Sequence, residues 1–249
     1  MVIMKNIRPL VHLISNEVTL NNVVNVILGA GGRAICATAV EEVFEITSNS
    51  KALVLNIGVP SKEKLKAMLI AGKRANEIGI PVVLDPVGVG ASAFRHSIVN
   101  ELLEKVSFTC IKGNKSEIAK LCGINSNAVG VDSNVTELCH KDLKLLSDKT
   151  GAIIAATGEV NIISDQNTIT KIPGGSKLLD IITGSGCMLT GIIGVFLAEE
   201  NNYKETVVSA FSYFNTAAKQ AELDLIAKGQ NGTGSYLINL LDRLSERGK

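Results

Sequence analysis

The stretch from Ala52 to Asp85 constrains this chain most. Ala52-Leu53-Val54-Leu55-Asn56 is a continuous apolar run of strand length, and Pro81-Val82-Val83-Leu84-Asp85 is a second. Between them, Ser61 to Ile78 carries Leu65, Met68, Leu69, Ala71 and Gly72 at helical spacing, with Lys and Glu on the opposite face. Strands that are apolar along their whole length are covered on both faces, which is the situation of parallel sheets crossed by helices. One such unit commits the chain to an α/β architecture.

At 249 residues, 46% of them hydrophobic, the chain suffices for one large α/β core. No repeat, low-complexity tract or linker divides it, so residues 1–249 read as a single domain. Net charge is +1, from 25 basic and 24 acidic residues, which gives neither nucleic acid nor a membrane surface an electrostatic hold. Trp is absent and aromatics are 4%, so base-stacking platforms are missing too. No run approaches the roughly 18 apolar residues of a membrane span. Residues 1–8 lack the pattern of a secretory signal, so a cytoplasmic location is expected. The five cysteines, Cys36, Cys110, Cys122, Cys139 and Cys187, are scattered and never form C-x-x-C. They read neither as a disulfide framework nor as a zinc site.

The remaining elements follow in order. Val11 to Ile14 is a short apolar run, and Glu17 to Leu28 is helix-like. Asn21, Asn22 and Asn25 lower helix propensity there and suggest a polar site on one side. Arg33 to Ala37 reads as a buried strand and Glu41 to Ile46 as a short helix. Helix Ser97–Lys105, strand Phe108–Lys112 and a helix through Cys122 come next, then a loop-like stretch from about Gly123 to Asn134. Leu138 to Thr150 is an amphipathic helix and Ala152 to Ala156 another buried strand. Val160–Ser164 and Thr168–Ile172 form a hairpin around a polar turn. Helices Gly186–Ala198, Lys204–Lys228 and Ser235–Arg243 close the chain. The whole is a mostly parallel sheet with helices on both faces.

The chemistry collects around Thr183-Gly184-Ser185-Gly186-Cys187, which leads into a dozen apolar residues. A helix starting there leaves its first N–H groups unpaired at the positive end of its dipole, which makes an anion site. The same position tends to lower a thiol's pKa, and Cys187 occupies it. The plainer alternative is a tight turn with Cys187 as a small core residue. Asp85 ends a strand, where ligands of open α/β sheets gather, and the alternative there is a turn cap. Glu117 opens a helix and could serve only its dipole. A Walker loop is absent, and Gly184-x-Gly186 fails the dinucleotide fingerprint. A late glycine loop, two acidic residues near strand ends and the cation Lys112 are the parts that phosphoryl transfer requires.

Six stretches taken together carry a family resemblance: Val11-His12-Leu13-Ile14-Ser15-Asn16, Leu53-Val54-Leu55-Asn56-Ile57-Gly58, residues 84–91 (LDPVGVGA), residues 112–118 (KGNKSEI), Ala156-Thr157-Gly158-Glu159-Val160 and Ile182-Thr183-Gly184-Ser185-Gly186-Cys187. In this order, over nearly the whole chain, the sequence resembles hydroxyethylthiazole kinase of the ribokinase-like superfamily. The resemblance implies transfer of the γ-phosphoryl group of ATP, with Mg2+, to the hydroxyethyl group of a methylthiazole. It implies that Asn16, Val18, Cys36 and Gly184 contact the thiazole, and that Lys112, Asn114 and Thr157 serve ATP. Asp85 and Glu117 would hold the metal, and Gly184, Gly186 and Cys187 would form the catalytic loop. It also implies a homotrimer with its sites between subunits.

Three positions depart from the pattern the resemblance implies. Cys36 stands where many relatives have Met, and Lys112 stands where Arg is usual, which loses the bidentate fork. Cys187 takes the place of an Asp general base common in the wider superfamily. Other readings left open are a kinase of another small alcohol, such as a hydroxymethylpyrimidine or a sugar, a nucleotide-dependent lyase of the same fold, and a nucleotide-binding module without turnover.

Overall fold

The computed structural model describes residues 8–124 and 138–248. Most of the loop-like stretch expected after Gly123 lies outside them. Among the described residues, eight strands form one sheet: β1 (Leu10–Ile14), β2 (Arg33–Cys36), β3 (Ala52–Asn56), β4 (Val82–Asp85), β5 (Cys110–Asn114), β6 (Ile153–Thr157), β7 (Val160–Ser164) and β8 (Ile169–Pro173). Their order is β2-β1-β3-β4-β5-β6-β7-β8. β1 to β6 run parallel, and the β7–β8 hairpin runs antiparallel on the far edge.

Side chains alternate across the sheet, as strand geometry demands. Val11, Leu13, Val54, Val83 and Cys110 enter one core with α1 (Leu20–Gly29), α7 (Ser185–Leu197), α8 (Tyr203–Ala227) and α9 (Thr233–Leu244). Ile14, Leu53, Leu55, Leu84 and Ile111 enter the other. That second face is covered by α2 (Val43–Ser48), α3 (Lys62–Ile78), α4 (Ala93–Lys105), α5 (Lys115–Leu121) and α6 (His140–Thr150).

Local chemistry sets the element ends. Ser61 accepts from Lys64 N at 3.0 Å and starts α3, while Gly79 at φ 72° ends it. α7 is apolar all round, so it is buried from Cys187 to Leu197. It presses directly onto the sheet, because a Cβ at Gly194 would lie 2.6 Å from Val54 Cγ2.

Three expectations change. The helix expected from Glu17 starts at Leu20, because Asn16 Oδ1 accepts from Thr19 N at 3.1 Å and holds Glu17 and Val18 in a turn. Asn21 and Asn25 bond each other at 3.1 Å on an exposed face instead of facing a site. β2 is not buried: it is the edge strand, with Arg33 and Cys36 exposed.

Candidate active site

The alternation that builds the core also builds the site. Asn56 continues the row of Ala52 and Val54, Asp85 that of Val83, and Lys112 and Asn114 that of Cys110. Thr157 continues the row of Ile153 and Ala155. All five therefore stand on the α7 side of the sheet, at the carboxyl ends of β3 to β6. Register aligns them, with Asn56 beside Asp85 and Asn114 beside Thr157. The start of α7 lies over this row.

Asp85 is 1% exposed. Its Oδ2 accepts from Thr190 Oγ1 at 2.7 Å and from Asn56 Nδ2 at 2.9 Å, with Lys112 Nζ at 3.7 Å. Its Oδ1 is buried without a hydrogen-bond partner. A buried carboxylate oxygen with nothing to accept from is costly, so this atom is built to meet something further.

Lys112 donates to Gly186 O at 3.0 Å. Burial pushes its pKa down, but the carboxylates of Asp85 and Glu117 outweigh that and leave it raised. Lys112 is thus a permanent cation beneath the glycine loop.

Glu117 closes a capping box at α5: Asn114 Oδ1 accepts from Glu117 N at 2.8 Å, and Glu117 Oε2 accepts from Asn114 N at 2.7 Å. Its Oε1 accepts from Gly88 N at 2.8 Å and so ties the loop after β4 to α5. Burial, aided by Asp85, raises its pKa. The helix cap is thus what the structure shows for Glu117, and the same carboxylate lines a cleft together with Asp85.

At the loop, Gly184 takes φ 81°, a conformation that favours glycine, and a Cβ there would lie 2.5 Å from Thr19 Cγ2. The first helical bond runs from Met188 N to Gly184 O, so the N–H groups of Ser185, Gly186 and Cys187 have no partner within α7. Cys187 is 9% exposed, and its Sγ accepts from Asn56 Nδ2 at 3.2 Å. The thiol does not follow the expectation of a lowered pKa. Burial pushes it up, the charge of Asp85 pushes it further, and these outweigh Lys112 and the hydrogen bonds.

Two clefts meet over this loop. One, of 460 Å³, is lined by Asn16, Val18, Val59, Val87, Ile182 and Cys187, with Asp85, Lys112, Glu117 and Gly184 at its floor. The other, of 330 Å³, runs along Thr157, Gly158, Gly174, Leu189, Phe214 and Asn215. Asn114, Thr157, Ser185 and Gly186 line both. The structure thus gathers every expected site residue except one. Cys36 is exposed and lines neither cleft, although it stands at the same rim, paired in register with Leu13. Lys112 lines the first cleft and not the second.

Sequence reasoning passed over Thr19, Asn56 and Thr190. Two of them carry a signal: Asn56 is the polar end of an apolar strand in register with Asp85, and Thr190 is a hydroxyl inside the apolar run of α7.

A mostly parallel sheet with its site at the strand ends, a buried cation and carboxylates under a helix-start glycine loop, and two adjoining clefts go with a ribokinase-like fold. A solved ribokinase-like superfamily protein from Enterococcus faecalis V583 shares the fold, with TM-score 0.68 at 13% identity over 97% of this chain and 88% of that one. Within that class, the chain matches the Hydroxyethylthiazole kinase family over residues 1–247 and belongs to it. It is 38% identical over 242 residues to the hydroxyethylthiazole kinase of Ruminiclostridium cellulolyticum, covering 96% of this chain and 88% of that protein. The solved hydroxyethylthiazole kinase of Pyrococcus horikoshii OT3 superposes with TM-score 0.84 at 34% identity, over 97% and 89% of the two chains.

Proposed function

We propose that this chain, acting as one kinase domain over residues 1–249, transfers the γ-phosphoryl group of ATP to the hydroxyl of 4-methyl-5-(2-hydroxyethyl)thiazole, a salvage step toward thiamine. The observation that carries this reading is the meeting of two clefts over the unpaired N–H groups at the start of α7. The 460 Å³ cleft has apolar walls, Val18, Val59, Val87 and Ile182, with the amide of Asn16 beside them, which suits a small ring bearing one alcohol. The second cleft takes the nucleotide, with Thr157 and Asn114 at the junction where its phosphates point.

Within this arrangement the side chains divide the work. Asn16 and Val18 hold the ring. Lys112 and the amides of Ser185, Gly186 and Cys187 face the charge that develops on the transferring phosphoryl group. Cys187 keeps its own proton, because burial and Asp85 hold its pKa up. Activation of the alcohol therefore rests on placement more than on proton removal, as a loose phosphoryl-transfer transition state permits. A divalent cation fits the residues present: the unpartnered Oδ1 of Asp85 is a ready oxygen ligand, with Glu117 as the second carboxylate. Mg2+ held there would supply charge neutralisation of the nucleotide's phosphates.

A homotrimer with sites between subunits is part of the proposal, and the location is the cytoplasm. Val18, 69% exposed beside Asn16, and the exposed Cys36 on the same rim support a second subunit completing the thiazole wall. Among the described residues, no helix is long and apolar enough to cross a membrane.

The test is incubation with Mg-ATP and a panel of small alcohols, with the phosphate ester sought by mass. Ester formed on the thiazole alcohol in preference to hydroxymethylpyrimidine and sugars is the expected result. Ester formed only on another alcohol, or none on any, overturns the assignment.

A further inference from the structure

We propose that Asn56 is a positioning residue that sets Asn16, the Asp85 carboxylate and the Cys187 sulfur in register with one another. This rests on the reading of Asn16 as an alcohol-site residue and Asp85 as a phosphoryl-site residue. Asn56 ends β3, is 1% exposed and lines neither cleft, so its effect on the reaction passes through its neighbours.

Its orientation is fixed by a donor that cannot change role. Gly58 N lies 2.9 Å from one terminal atom of the amide, which must therefore be the oxygen. That oxygen also accepts from Asn16 Nδ2 at 2.9 Å. The two Nδ2 hydrogens then go to Asp85 Oδ2 at 2.9 Å and to Cys187 Sγ at 3.2 Å. An amide offers two donors and two acceptor lone pairs, and all four are used. A fully satisfied buried junction of this kind resists rotation, since any turn leaves a buried group unpaired.

The junction has two functional halves. The oxygen serves the alcohol side, holding Asn16 and the Gly58 turn. The nitrogen serves the phosphoryl side, holding Asp85 and occupying the Cys187 sulfur as an acceptor, so the S–H hydrogen points away from Asn56. Asn56→Asp keeps the first half and turns the second into a contact between two carboxylate oxygens, where the Asn56–Asp85 bond of 2.9 Å was. Asn56→Ala removes both.

The experiment combines calorimetric titration of the thiazole alcohol, without nucleotide, with steady-state kinetics. Asn56→Asp is expected to bind the alcohol as the unaltered chain does, while kcat falls about 10- to 100-fold. Asn56→Ala is expected to weaken alcohol binding by about 10-fold or more as well. Neither should change the KM for ATP, because the nucleotide cleft does not include Asn56. Unchanged kcat in Asn56→Asp overturns the proposal. So does an Asn56→Ala variant whose alcohol and ATP constants worsen together in step with lost thermal stability, which is the mark of a purely structural residue.

If either variant fails to fold, a cycle that leaves Asn56 in place decides the matter. Asn16→Ala and Thr190→Val touch opposite ends of the chain of bonds running through Asn56 and Asp85. Their effects on kcat should depart from the product of the singles by about three-fold or more, and a simple product overturns the proposal. Alcohol binding without turnover in the unaltered chain would instead strike at the assigned activity, and the binding arm would still judge Asn56.

Discussion

At Cys187 two effects compete, and their sizes decide its chemistry. The start of α7 favours a thiolate, but Cys187 is buried and its sulfur shares Asn56 with the buried carboxylate of Asp85, which favours the thiol. A group acting as general base is worth about 10²–10⁴ in rate. Cys187→Ala is expected to cost only about tenfold or less in kcat, because amide placement dominates; steady-state kinetics at saturating ATP checks it. His12 gives a second prediction at this scale. Its Nε2 faces the carbonyl of Ala37 at 3.0 Å, which can only accept, and its Nδ1 meets Thr47 Oγ1 at 2.9 Å. Burial lowers its pKa below the ordinary 6.5, so the folded chain holds it neutral while the unfolded chain takes up a proton as pH falls. The stability His12 contributes is complete above pH 6.5 and drains below it, with a slope of at most about 1.4 kcal/mol per pH unit. Urea melts from pH 7.5 to pH 5 should show a shallower decline in His12→Asn. Residues whose type announces chemistry, Asp85, Glu117, Lys112 and Cys187, were legible in the sequence. Asn56 and Thr190 were not, because an amide or a hydroxyl gains its meaning only from the partners that folding supplies.

Among the elements, the junction between loop and helix at Gly184 leaves no room for a side chain. Gly184→Ala forces a Cβ into a left-handed backbone at φ 81° and against Thr19 Cγ2 at 2.5 Å. The backbone strain alone is worth about 1–3 kcal/mol. A lower thermal midpoint is expected together with a raised KM for the alcohol, since Thr19 hydroxyl and amide both donate to Asn16 Oδ1. The capping box at α5 leads to a different outcome. Glu117→Gln preserves size, yet both carboxylate oxygens already accept from backbone N–H groups, of Gly88 and Asn114. An amide nitrogen in either place meets a donor, so stability falls by about 1–3 kcal/mol even before metal is considered. Denaturation without Mg2+ or nucleotide measures that loss separately from the drop in activity. Helices and strands with strong periodicity were legible, α3 with its Ser61 cap above all. The start of α1 was not, because a side chain three residues upstream, Asn16, competes for the backbone of Thr19.

For the whole molecule, the parallel sheet followed from its uniformly apolar strands, whereas the edge position of β2 did not. Arg33-Ala-Ile-Cys36 looks interior in sequence, and only the order of the strands leaves it uncovered. That exposed rim, with Val18 at 69%, Phe44 at 50% and Val40 at 38%, is where neighbouring subunits are expected to meet. Light scattering should give the mass of three chains, and Val18→Asp should both loosen the assembly and raise the alcohol KM; a monomer with full activity would refute the arrangement. The burial of α7 has a consequence for how the chain is made. Synthesis delivers β1 to β6 before residues 185–197, so the part of the strand face that α7 covers, with Val11, Val54 and Val83, lacks that cover until α7 is made. A nascent chain halted before α7 presents that apolar face to chaperones and proteases, and it also lacks the glycine loop. The segment that covers the strands also brings the glycine loop, and α8 must follow before Phe214 and Asn215 close the second cleft, so core and site are finished by the same late helices.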